Sequence, residues 1–197
     1  MHIDYAGLAR NQLEDFLNGQ KGFFIANFFQ LDMLNQILPG LSKVNSCDLG
    51  TEGKFEDRLG WRIGQAYAGI HTICNFKLSR EPDLIEKLSI LLYNLKKVET
   101  RREELDGQVS FVGSEQLAAQ TVPHIAKKIK LSPSEADRLR FVVEQLPNAN
   151  EFTAIPEEIR AVIRNSPFKV SLALLQEADA LSSHANPRPV FWDQITG

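Results

Sequence analysis

Apolar residues recur at helical spacing along almost the whole chain, and Gly and Pro mark the breaks between segments. No stretch alternates apolar and polar residues convincingly enough to be a strand, so an all-α fold is expected. Residues 5–18 and 22–37 are predicted as two short helices separated by Asn18-Gly19-Gln20. The second gathers Phe23, Phe24, Phe28, Phe29, Leu31, Met33 and Leu34. So apolar a segment needs cover, either as core between two helical layers or as a dimer face. Pro39-Gly40 stops that helix, and a polar loop over 42–54 leads to a long helix at about 56–77. The next helix, 82–97, carries Pro82 in its first turn and sets Leu84, Leu88, Leu91 and Leu95 on one stripe. A charged loop at 99–107 contains Asp106-Gly107 as a turn signal. Ser132-Pro133-Ser134-Glu135 is a capping box with proline at the first helical position, backed by Leu139, Val142, Val143 and Leu146. Ser166-Pro167 repeats the device for a last helix at 167–183. The tail, 184–197, is too rich in proline for helix and is expected to drape over the body through Phe191 and Trp192. The chain thus divides into an N-terminal helical extension, 1–41, and a helical body, 42–197, in one compact unit.

Composition narrows the classes of function. With 197 residues and 43% of them hydrophobic, the chain can bury a substantial core. Its formal charge of 22 − 25 = −3 argues against coating nucleic acid or an anionic membrane by bulk charge, so such binding would need a local basic patch. Cys47 and Cys74 form neither a C-x-x-C pair nor a disulfide framework, which points to a reducing compartment. The polar, acid-containing start, MHIDYAGLARNQLEDF, is no signal peptide, and no apolar run approaches the roughly 18 residues of a membrane span. A cytoplasmic location away from membranes is expected. His2, His71, His124 and His184 form no compact ligand motif, and no cofactor is implied.

The informative stretch is residues 90–122, ILLYNLKKVETRREELDGQVSFVGSEQLAAQTV. It resembles a segment of the HD domain in bacterial tRNA nucleotidyltransferases, the CCA-adding enzymes, and poly(A) polymerases. There a helix reading roughly L-L-H-D-I-G-K-P-x-T is followed by a charged loop, D-G, F-x-G-H-E and a further helix. The resemblance extends to FQLDMLNQILPGL at 29–41, to Gly69-Ile70-His71-Thr72, 22 residues before Tyr93, to IAKKIKLSPSEADRLRFVV at 125–143, and to LLQEADALS at 174–182. It spans about 29–183 and implies an HD-domain-like helical bundle with a neck-like N-terminal extension.

The departures carry as much weight. An HD site needs His, a His-Asp pair and a further Asp, because a divalent metal that activates water requires imidazole and carboxylate ligands at one point. The pair is Tyr93-Asn94 here, a phenol that is neutral at pH 7 beside a weakly ligating amide. Ser114 replaces the later His, while Gly113, Glu115, His71 and the aligned Asp179 persist. The resemblance therefore implies a vestigial site of His71, Tyr93, Asn94, Ser114, Glu115 and Asp179, with no catalytic residue and no metal. Tyr93, Asn94 and Ser114 are expected to form a neutral hydrogen-bonded cluster. The family's nucleotidyltransferase head has no counterpart in the 28 residues before Phe29, so nucleotide addition by this chain alone is not expected.

What remains is binding, since the family's helical parts beyond the head help to hold RNA. Cations cluster at Lys96, Lys97, Arg101 and Arg102, and again at Lys127, Lys128, Lys130, Arg138 and Arg140. Such a patch could read a phosphate backbone with salt-sensitive affinity. Glu99, Glu103, Glu104, Asp106, Glu135 and Asp137 are interleaved with it, as on an ordinary solvated face. Two functions are expected from this pattern. One is a non-catalytic binder of tRNA or another structured RNA, working with a separately encoded catalytic subunit. The other is a protein-interaction or regulatory module, nucleotide-sensing or homodimeric through Phe23, Phe24, Phe28 and Phe29.

Overall fold

The computed structural model describes residues 5–19, 32–50, 58–183 and 189–197. Phe23, Phe24, Phe28, Phe29, His2 and His184 lie outside the described residues. The architecture is all-α, as the helical periodicity predicts. In chain order the helices are α1 (Tyr5–Gly19), α2 (Asp32–Ile37), α3 (Leu59–Ile73), α4 (Leu84–Leu95), α5 (Lys97–Thr100), α6 (Ser114–Ile129), α7 (Pro133–Asn150), α8 (Glu157–Asn165), α9 (Lys169–Leu181) and α10 (Trp192–Thr196). A 3-10 turn, Leu41–Ser46, lies between α2 and α3. A π turn, Cys74–Leu78, finishes α3 and ends at Ser79, whose φ of 51° lets the chain reverse into α4.

The central element is α4, which packs against α1, α3, α6, α7 and α9. Every residue from Ile85 to Leu95 is buried, so the predicted stripe of Leu88, Leu91 and Leu95 belongs to a helix covered on all sides, while Leu84 is only partly covered. Its start differs from the predicted one. Pro82 stands before the helix, and Asp83 is the N-cap: its Oδ1 accepts from the Ile85 and Glu86 N–H groups at 2.9 and 3.1 Å. Glu86 Oε2 accepts from the Asp83 N–H at 2.9 Å and closes a capping box.

The predicted box at Ser132 is present: Ser132 Oγ accepts from the Glu135 N–H at 3.2 Å, and Glu135 accepts from the Ser132 N–H at 2.7 Å. Leu139, Val142, Val143 and Leu146 are buried behind it. At Ser166-Pro167 the device is not repeated. Ser166 Oγ accepts from the Phe168 N–H at 3.1 Å, a local turn that delays α9 to Lys169.

Three further features depart from the pattern-based expectation. The loop at 99–107 opens a two-stranded antiparallel hairpin, β1 (Arg102–Glu103) and β2 (Val109–Ser110), registered Arg102 to Ser110 and Glu103 to Val109. Gly107, at φ 80°, makes the turn that Asp106-Gly107 signals. Helix α8 occupies a stretch that carried no predicted element. The tail includes α10, with Phe191 buried against Phe152 at 6.2 Å between ring centroids and Lys77 over the Trp192 ring at 4.5 Å. Gln176 clips the tail by donating to the Pro189 carbonyl at 2.8 Å and accepting from the Phe191 N–H at 3.3 Å. At the other end, α1 buries Leu13 and Leu17, and Arg10 reaches Glu135 at 2.9 Å, joining the N-terminal helix to α7.

Candidate functional site

The residues of the expected vestigial pocket are distributed over α3, α4, α6 and α9. His71 Nδ1 lies 2.8 Å from Glu81 Oε2, a contact that holds the Glu81 carboxyl below the usual carboxylate range, and the imidazole tilts against Tyr67 at 5.2 Å. Glu81 precedes α4, so His71 is tied to the N-terminal end of that helix. Tyr93 and Asn94 are in its last turn. The nine steps from Leu84 to Tyr93 put about 13.5 Å of helix axis between the two ends. His71 is therefore not brought together with Tyr93 and Asn94.

At the C-terminal end of α4, Tyr93 and Asn94 are buried, and the cluster they form is not the neutral one expected. Asn94 Nδ2 donates to the Ile90 carbonyl at 2.9 Å, and Asn94 Oδ1 accepts from Lys97 Nζ at 3.1 Å. The same ammonium stands 4.2 Å from the Tyr93 ring centroid. A cation thus completes this cluster, held by an amide oxygen and a ring face. Ser114 Oγ is buried without a hydrogen-bond partner among the described residues. Glu115 is partly exposed in the first turn of α6, and Asp179 is buried on α9, where its carbonyl accepts from the Ser182 and Ser183 hydroxyls at 2.7 and 3.1 Å. Among the described residues no three His, Cys, Asp or Glu side chains are grouped as metal ligands would be.

The nine candidate RNA-binding cations separate into two sets. Lys96 and Lys97 are 5% and 6% exposed; Lys96 pairs with Glu99 and Lys97 belongs to the α4 cluster, a correction that removes both from any open surface. Arg101 donates to Asp48 at 2.8 Å and braces the hairpin base. Arg138 donates to Asp83 at 2.7 Å, Glu86 at 2.8 Å and Ser171 at 2.9 Å, so its guanidinium is also committed inside the fold. Arg102, Lys127, Lys128, Lys130 and Arg140 are exposed. Lys127 and Lys128 have no carboxylate partner among the described residues, and Lys130 forms the left-handed C-cap of α6 at φ 51°. Cations in the last turn of a helix are favoured by its dipole, which accounts for their presence but not for their accumulation on one outer corner.

The strongest polar assembly was not anticipated. Glu86, with a fully buried side chain, accepts a forked pair from Arg80 at 2.6 and 2.8 Å, a third bond from Arg138 and a fourth from the Asp83 N–H. It locks the α3–α4 turn to α7, and through Ser171 to α9. The Asp83-x-x-Glu86 spacing was the available signal, but nothing local announces two arginines from residues 80 and 138.

No protein-family model, curated protein or solved structure matches the chain.

Proposed function

We propose that this chain is a non-catalytic binder of structured RNA, tRNA included, that works beside a separately encoded catalytic subunit. The observation that supports it is the exposed corner of Lys127, Lys128 and Lys130 at the end of α6, where two of three ammonium groups lack a carboxylate partner among the described residues. Contacts from these three would give an affinity that falls with salt at a log–log slope of about −2 to −3. Changing Lys127, Lys128 and Lys130 together to Glu should weaken RNA binding at least about tenfold and flatten the salt slope, with the helical circular dichroism retained. Unchanged affinity in that variant would refute the reading.

A second reading, a protein-interaction module, is favoured by the hairpin. Leu105 at its tip is fully solvent-exposed and Val112 at its base is 77% exposed, an unusual outlay of apolar surface on a braced element. Self-association that is independent of RNA and lost in Leu105→Ser would support it. A homodimer through Phe23, Phe24, Phe28 and Phe29 belongs to the same reading and rests on residues outside those described.

A further inference from the structure

We infer that α6 is the element that reads RNA, its outer line of Gln116, Gln120 and His124 contacting ribose hydroxyls and base edges in the minor groove of an RNA duplex while Lys127 and Lys128 hold phosphates. The inference rests on the RNA-binding reading and adds to it the class of nucleic acid and the residues that select it. Helix α6 buries Ser114, Ala118, Val122, Ile125 and Ile129, one stripe at helical spacing that faces inward, where the helix packs on α1, α4 and α7. At about 100° per residue, Gln116, Gln120 and Lys127 lie within roughly 20° of the opposite direction, His124 about 60° and Lys128 about 100° round from it on the same side. All five are exposed.

This outer line is free of acids. From Gln116 to Leu131 the sequence holds no Asp or Glu, so two amides and an imidazole lead into a lysine cluster over about 16 Å of helix. The neighbouring α7 differs: exposed Arg140 sits one turn from exposed Asp137 and Glu144, and its charge is offset on its own helix. Of the two helices, α6 is the one that concentrates phosphate attraction.

The chemistry of the line selects the ligand. A glutamine amide both donates and accepts, which matches the 2′-hydroxyl, itself donor and acceptor. The minor groove of A-form RNA is wide and shallow and displays those hydroxyls, while its major groove is too deep and narrow for side chains. Single-stranded bases would call for exposed aromatic platforms. The nearest aromatic on α7, Phe141, is half-buried and turned to Phe168 at 6.0 Å between centroids, and the exposed Phe76 belongs to the π turn after α3, not to α6 or α7. An RNA duplex fits the line better than a DNA duplex or a single strand.

The test is fluorescence anisotropy with three labelled probes of one sequence, an RNA duplex, the corresponding DNA duplex and the single RNA strand, each at two salt concentrations. The full chain should bind the RNA duplex about tenfold tighter than the DNA duplex. The triple variant Gln116→Ala, Gln120→Ala, His124→Ala should lose that preference with the salt slope unchanged. Alanine favours helix, so this variant should keep the helical circular dichroism of the full chain, measured beside it. Salt-dependent binding that needs Lys127, Lys128 and Lys130 but treats both duplexes alike, or is unaltered in the alanine variant, overturns the role of the glutamine line and leaves RNA binding standing. No binding to any probe overturns both.

Discussion

Replacing Glu86 by Gln would remove the charge at the centre of the buried assembly while keeping its shape. The carboxylate accepts five bonds: Oε1 from Arg80 Nη2 at 2.6 Å, Arg138 Nη2 at 2.8 Å and, at the long limit, Ser171 Oγ at 3.5 Å, and Oε2 from Arg80 Nη1 at 2.8 Å and the Asp83 N–H at 2.9 Å. A glutamine amide offers one oxygen, so at least two of these bonds are lost whichever way it is flipped. Hydrogen bonds to charged groups contribute about 1.5–3 kcal/mol each. Arg80 is 39% exposed and Arg138 21%, so both can recover part of that from water, and the lower figure applies. Two bonds at that value give a loss of about 3 kcal/mol. In a chain of 197 residues the loss corresponds to a fall in Tm of about 6–12 °C. Urea denaturation followed by far-UV circular dichroism measures it, with Glu157→Gln as the comparison. That exposed carboxylate pairs with Arg160 and Arg164 at the surface and should cost under about 1 kcal/mol. A Glu86→Gln variant as stable as Glu157→Gln would show that the assembly does not hold α4 against α7.

The Arg10 guanidinium holds the Glu135 carboxyl down at about 2, from an ordinary 4.5. A lowered carboxylate contributes stability above its ordinary value and loses it as pH falls toward 2, so Arg10→Ala should shrink the loss of urea midpoint between about pH 6 and pH 3. Equal losses in both proteins would contradict that linkage. Tyr67 is buried and donates its hydroxyl to the Leu17 carbonyl of α1, so Tyr67→Phe should cost about 1 kcal/mol in the same assay, and no change would sever that tie. Burial pushes the Cys74 thiol up to about 11 and raises the Cys47 thiol as well. Neither should react with a thiol reagent near pH 8 until the chain unfolds; rapid labelling of the native protein would contradict their burial.

Periodicity located most helices because the spacing that buries Leu88, Leu91 and Leu95, or Leu139, Val142 and Leu146, is a property of the local sequence. The start of α4 was misplaced because Pro82 is acceptable both in a first turn and just before a cap, and only the fold shows that Asp83 takes the cap. The hairpin has two residues per strand, too short to alternate visibly, so only its Asp106-Gly107 turn was readable. Charge misled at Lys96 and Lys97. Lysine ordinarily means surface, but the end of α4 is covered on every side, and an amide oxygen and a phenol ring take the Lys97 ammonium. The resemblance groups His71 with Tyr93, whereas the α3–α4 turn ties it to Glu81. The outer line of α6 was hidden for the opposite reason: glutamines at four-residue spacing look unremarkable until the buried stripe fixes which way they face.

The most direct measurement is the affinity of the intact chain for tRNA and for an unrelated stem-loop RNA across a salt titration, beside the variant with Lys127, Lys128 and Lys130 changed to Glu. The account predicts micromolar or tighter binding that weakens along a log–log slope of about −2 to −3 and is lost in the variant. Absence of binding at low salt, or binding that the variant retains, would contradict it.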